Sequence, residues 1–342
     1  MRAHRAAPIA LSFGAGLVQA ASFRPFEAWW LQLAALATLV WLVLHSPERA
    51  RWLGFAFGFG CFVAGVSWLH VSMHRYGGMP AVLAALALLL FAAYLAAFPA
   101  IACEALGRLD ATLRRRPTTR LARAAALALL FSAAWALTEV LRGWLFTGFP
   151  WLAIGYAHVD GPLAGFAPLL GVYGVCLLAA CVAFGIALAL GGLPTLQPAE
   201  VVQGGEAVPA AGTAPVLDPT GGIAPASASA ARAFGVLAAA LPLVAGLALS
   251  ALDWTSPHGA PLRVRLLQGN VPQDLKFDPG RSLAAMYAYT NEVLSRDVPL
   301  TILPETAWTV PWPHTPHDVH EAMVVHLQKT GTAVAIGMPL LA

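Results

Sequence analysis

The sequence predicts a polytopic α-helical membrane domain followed by a smaller α/β domain, and three observations carry the prediction. Hydrophobic residues make up 58% of the chain and charged residues only 11%, where soluble domains carry about a quarter charged residues. The apolar residues fall in runs near the length at which a helix crosses a bilayer core. From Pro261 the runs stop, and strand-like and helix-like segments alternate instead. The net charge of +3 is small, and the basic residues sit in short loops, which excludes a nucleic-acid partner.

Seven segments qualify as spans of a membrane domain over 1–254: 6–22, 26–44, 52–72, 79–106, 121–141, 161–193 and 233–252. The first is read as a retained span; the alternative is a cleaved signal peptide, because Met1–Arg5 is basic and Val18–Ala21 ends in small residues. Basic loops stay cytoplasmic. Arg2 and Arg5 precede the first span, Arg49 and Arg51 follow the second, and Arg108, Arg114, Arg115, Arg116, Arg120 and Arg123 crowd the loop after the fourth. The alternate loops hold only Arg24, Arg75 and Arg142. The N-terminus is therefore expected in the cytoplasm and everything after Leu252 outside. Trp29, Trp30, Trp52, Trp68, Trp144, Trp151 and Trp254 gather near span ends, as an interfacial belt does. Residues 194–232, rich in proline, alanine and glycine, are expected to be a flexible cytoplasmic linker. Cys61, Cys103, Cys176 and Cys181 lie inside apolar runs and suit neither a zinc site nor a disulfide framework.

The segment Glu139–Trp151 with Gly155-Tyr156 is too apolar for a plain loop and too broken by glycine and proline for a helix. Non-helical backbone at membrane depth persists only where protein buries it or where it lines a cavity. Glu139 and Arg142 stand three apart at a helix end and can pair. The readings are a substrate groove or a structural re-entrant turn.

In 261–342, Leu262–Gln268 reads as a strand. Asp278-Pro279 opens a helix, with a carboxylate cap and then proline at the first position. A strand over 299–304, a helix from Thr315-Pro316 to Lys329 with Gly331 past its end, and a strand over Thr332–Met338 follow. This alternation means a mostly parallel sheet, whose functional crevice lies beyond the carboxyl ends of its strands. Glu305 falls there. Beside Pro304, Trp308 and Trp312 its carboxylate is expected in a low-dielectric setting suited to a general base; the alternatives are a cap or an ion-pair member. His314, His317, His320 and His326 are read as solvated rather than metal-ligating.

Leu267–Pro279 (LQGNVPQDLKFDP) and Leu303-Pro304-Glu305-Thr306 resemble the opening motifs of the catalytic domain of apolipoprotein N-acyltransferases. Arg142–Trp151 (RGWLFTGFPW) with Gly155-Tyr156 is similar to that family's membrane signature, and Phe23–Phe26 before Trp29 to its first outside loop. The resemblance implies a bacterial inner-membrane enzyme whose membrane domain carries a periplasmic nitrilase-like αββα domain. It implies acyl transfer from a phospholipid of the phosphatidylethanolamine type to the N-terminal amine of a diacylglyceryl-cysteine lipoprotein, through a thioester and with no cofactor or metal. Carried onto this sequence, it makes Glu305 the general base and Phe277 a substrate-positioning aromatic, with Arg142, Trp144, Trp151, Tyr156 and Trp308 as further substrate-binding candidates.

The departure is large. The two lysines, Lys276 and Lys329, do not match the family's oxyanion lysine, and no cysteine follows Cys181. The chain is accordingly expected to hold the membrane domain and only the first part of the catalytic domain, and to be inactive by itself.

Overall fold

A computed structural model describes residues 3–23, 25–191, 193–194 and 224–340. The chain divides into two compact units, Met1–Trp254 and Thr255–Ala342.

The first unit is helical throughout: α1 Ala3–Ala20, α2 Trp29–His45, α3 Ala50–Gly65, α4 Trp68–Val71, α5 Ala81–Arg114, α6 Arg120–Arg142, α7 Ala167–Gly191 and α8 Ala224–Ser250. Each of the seven apolar segments is largely helical. Among the described residues four helices are long and apolar enough to cross a membrane, or five if α2 and α3, bent by 112° at their junction, count as one. The segment expected over 52–72 is broken: α3 stops at Gly65, the short α4 follows, and a π-helical turn closes it at Ser72–Tyr76. α5 runs eight residues past the expected Leu106, because Arg108 bonds Glu104 and Arg114 bonds Asp110 along its polar end. The linker expected over 194–232 lies largely outside the described residues, and its last part is helical, since α8 begins at Ala224. Arg24 also lies outside them.

Small residues bring the helices close, as they do where lipid tails remove any hydrophobic drive between spans. A Cβ on Gly60 would meet the Phe13 carbonyl of α1, and one on Gly54 the Pro99 carbonyl of α5, so α3 packs backbone to backbone on both sides. The core then fills with Leu36, Leu39, Leu53, Phe57, Leu106, Leu127, Phe131 and Phe184.

Between α6 and α7 the chain makes three short 3-10 turns, Leu145–Thr147, Ile154–His158 and Pro162–Phe166. His158 is fully buried there, its Nε2 at 2.8 Å from Gln32 Oε1. Burial without a charge partner pushes its imidazole down to about 4. The unfolded chain, with an ordinary histidine near 6.5, takes up the proton first. Stability supplied by the neutral ring is therefore complete above about pH 6.5 and is lost as pH falls toward 4, by up to about 3 kcal/mol. Unfolding midpoints measured from pH 7 to 4 should fall more steeply for the native chain than for His158→Gln. Parallel profiles would show that the ring is solvated.

The second unit is a three-stranded parallel sheet in the order β1-β2-β3, formed by Val264–Leu266, Leu300–Ile302 and Ala333–Ala335, with Val264 opposite Leu300 and Leu300 opposite Ala333. α9 (Pro279–Leu294) and α10 (His317–Thr330) make the crossovers and pack on each other. Asp278 caps α9 through the Arg281 amide, and Gly331 ends α10 in the left-handed conformation at φ 66°. Met286, Tyr289, Val293, Leu303, Ala307, Trp308, Val319 and Met323 form the core.

Candidate functional site

In the α/β unit, the segments leaving β1 and β2 at their carboxyl ends enclose a cleft of about 270 Å³. Gln268–Val271 forms one wall and Pro304–Ala307 the other, with Lys276, Ser282, Tyr289 and Thr309 around them. Both walls turn sharply: Asn270 sits at φ 48° and Thr306 at φ 55°. Three contacts hold them. The Gly269 amide donates to the Tyr289 hydroxyl at 3.1 Å, Lys276 Nζ donates to the Glu305 carbonyl at 3.1 Å, and the Ser282 and Thr309 hydroxyls bond each other. Gly337 is required beside the second wall, since a Cβ there would crowd the Thr306 amide and the Glu305 Cα.

Glu305 thus lines the cleft, as its place after a strand end predicts, but its expected low-dielectric setting is corrected: the residue is exposed. The two tryptophans counted on to cover it face elsewhere. Trp308 is wholly buried in the core, its Nε1 donating to Thr315 Oγ1 at 2.9 Å, and Trp312 lies against His320 with ring centroids 4.8 Å apart. Phe277 is 66% exposed and lies outside the cleft wall. Lys276 and Tyr289 are the cleft residues that sequence reasoning missed as site components. Lys276 stands within a recognised motif, whereas nothing local marks Tyr289, whose role depends on α9 lying under β1. His317 pairs with Glu321 at 3.6 Å and His326 with Asp297 at 3.5 Å.

In the helical unit a second cavity, of about 1040 Å³, opens between α1, the α3–α4 junction and the loop after α6. Its wall is mostly apolar: Phe23, Phe26, Trp68, Trp151 and Tyr156 are among its residues, with Glu27 and Asp160 as its acidic members. Trp151 and Tyr156, two of the expected substrate-binding residues, line this cavity, as do Trp68 and Phe26. Trp144, 86% exposed, lines neither cavity.

Arg142 does not face the larger cavity either. Its side chain is 2% exposed and donates to the Phe149 and Trp151 carbonyls, both at 2.6 Å. Glu139 Oε1 lies 3.9 Å away, and the carboxylate accepts the Ile154 amide and Trp135 Nε1, each at 3.2 Å. The pair is the clamp that folds the loop back onto α6. Of the two readings of this loop, the buried re-entrant turn describes Arg142, and the cavity describes Trp151 and Tyr156.

Comparison with known proteins identifies the chain's relatives. Residues 15–185 match the family described as the apolipoprotein N-acyltransferase N-terminal domain. An apolipoprotein N-acyltransferase of Ralstonia nicotianae is 39% identical over 334 residues, which is 97% of this chain and 55% of that protein. One from Chromobacterium violaceum is 35% identical over 95% of this chain and 54% of its own length. The chain spans about half the length of the curated relatives it matches. With a helical membrane unit that carries the family match and relatives this close along nearly its whole length, the chain belongs to the apolipoprotein N-acyltransferase family.

Proposed function

We propose that the chain supplies the lipid-binding membrane unit and the base-bearing cleft of an enzyme that moves an acyl chain from a phospholipid to the N-terminal amine of a diacylglyceryl-cysteine lipoprotein. The donor is of the phosphatidylethanolamine type. In this reading the membrane unit crosses a bacterial inner membrane seven times from a cytoplasmic N-terminus, and the α/β unit is the first part of a periplasmic nitrilase-like domain. The observation that most supports it is the cleft at the carboxyl ends of β1 and β2, which Glu305 and Lys276 both line.

Glu305 takes the proton of a thiol as the sulfur attacks the donor ester, and returns it to the departing lysophospholipid alkoxide. The lipoprotein amine then attacks the thioester and the thiol is restored. A base suited to this step contributes about 10²–10⁴-fold. The thiol is not among these 342 residues at the cleft: Cys61, Cys103 and Cys176 are buried in the helical unit and Cys181 is half-buried there.

The test begins with the gene past codon 342. An in-frame continuation bearing a lysine and then a cysteine supplies the protein to assay. With acyl-labelled phosphatidylethanolamine in vesicles, Glu305→Gln should lower acyl-enzyme formation by about 10²–10⁴-fold with the helical signature intact. A normal yield removes the base assignment. The exposed Glu305 favours a second reading, a non-catalytic scaffold that binds lipid or lipoprotein in the large cavity. A stop at codon 343, stable expression, and phospholipid binding indifferent to Glu305→Gln would select it.

A further inference from the structure

The six arginines between Arg108 and Arg123 do two different jobs, and only one is structural. Arg114 and Arg123 converge on Asp110, a carboxylate 1% exposed: Arg114 Nε reaches one oxygen and Arg123 Nε the other, each at 2.8 Å. Arg114 also extends toward the Leu44 carbonyl at 3.4 Å, and Arg120 donates to the Leu193 carbonyl. These three tie α2, α5, α6 and the segment after α7 together. A topology signal alone would not need such acceptors.

The other three face outward. Arg108, Ala111, Thr112, Arg115 and Arg116 line an open groove of about 610 Å³ along the end of α5, at the helical spacing that puts them on one face. Arg108 shares Glu104 at 2.8 Å and keeps a side chain 78% exposed. Among the described residues the Arg115 and Arg116 side chains have no acceptor. Thr112 gives its hydroxyl to the Arg108 carbonyl, so recognition falls to the guanidiniums. Glu104 offsets one of the three guanidiniums and the helix C-terminus about half a charge more, which leaves the groove net positive.

Position decides what anion they meet. α5 has 34 residues, hence about 51 Å at 1.5 Å per residue, against a hydrocarbon core of about 30 Å. Its apolar stretch ends at Leu106, so the groove begins within a turn of the apolar boundary, at headgroup depth. We propose that the groove of Arg108, Arg115 and Arg116 is a binding site for the phosphate of an anionic glycerophospholipid of the bilayer. Planar guanidiniums take a phosphodiester through paired hydrogen bonds. A zwitterionic lipid brings an ammonium that the same three cations repel, so the site selects for net negative headgroups.

The experiment uses the 342-residue chain in nanodiscs of phosphatidylethanolamine containing a minority of phosphatidylglycerol, with the lipids retained after mild delipidation identified by headgroup. Phosphatidylglycerol should be retained above its bulk fraction, by about fivefold for each contributing arginine. Arg108→Gln/Arg115→Gln/Arg116→Gln should abolish the enrichment, while Arg49→Gln/Arg51→Gln, which removes charge from another basic loop, should leave most of it. Retention in proportion to bulk composition overturns the proposal in the native chain alone, whatever the variants do. An equal loss in the Arg49/Arg51 variant overturns it in favour of diffuse charge. Displacement of the retained lipid by millimolar inorganic phosphate overturns the lipid as the occupant in favour of a free anion.

Discussion

Arg142→Ala should destabilise the helical unit by about 3–5 kcal/mol, the range for removing one partner of a buried charged pair. The loss is large because three groups are stranded together. The Phe149 and Trp151 carbonyls lose their donor, and the Glu139 carboxylate keeps the Ile154 amide and Trp135 Nε1 but loses the nearest positive charge. The guanidinium also lies 5.2 Å from the centre of the Phe62 ring, a contact that goes with it. Arg142→Lys should recover only part, since one ammonium cannot both meet the two carbonyls that Nη1 bonds and keep Nη2's place beside Glu139. The decisive comparison is Arg142→Ala in the Glu139→Gln background, where no buried charge is stranded. There the cost should shrink by at least about 1 kcal/mol. Chemical unfolding in detergent followed by circular dichroism measures all of these. A loss under about 1 kcal/mol for Arg142→Ala would mean that the side chain is free and available to a ligand, reversing the structural assignment.

The same loop shows what a sequence can and cannot disclose. Its departure from both helix and plain loop is visible from the glycine and proline in Gly143–Trp151, and so is the Glu139–Arg142 spacing. The acceptors are not, because two backbone carbonyls seven and nine residues on become partners only once the chain has turned back. Helix positions follow from apolar runs, so helix is legible in each of the seven segments, while among the described residues four helices, or five with the bent pair, are long and apolar enough to span. Ends are not: hydropathy sees α5 stop near Leu106, while side-chain pairs on its polar end carry it to Arg114. The break after Gly65 escapes hydropathy for the opposite reason, since the sequence stays apolar through it. In the α/β unit, capping residues and strand alternation give the order of elements directly. What they do not give is direction, and so the indole of Trp308 was expected over Glu305 and lies in the core.

That burial makes Trp308→Ala the costly substitution of the α/β unit, by about 3–5 kcal/mol. Among the described residues the ring belongs to a core of eight buried side chains. Trp308→Phe separates packing from polarity. It keeps most of the volume, gives up the 2.9 Å bond to Thr315, and should cost about 1 kcal/mol from that bond plus a smaller cavity term. Amide exchange in the full chain is the readout: α9 and α10 should lose protection together in Trp308→Ala and keep most of it in Trp308→Phe. The consequence reaches the cleft through the backbone. The Trp308 amide donates to the Gly337 carbonyl at 3.2 Å and the Leu303 amide to the Ala335 carbonyl at 3.0 Å, so the turn carrying Glu305 is stitched at both ends to the segment through β3. Loosening one stitch shifts the carboxylate without touching it. A tryptophan that instead bound substrate directly would leave exchange in α9 and α10 unchanged when removed, and that result would return Trp308 to the cleft.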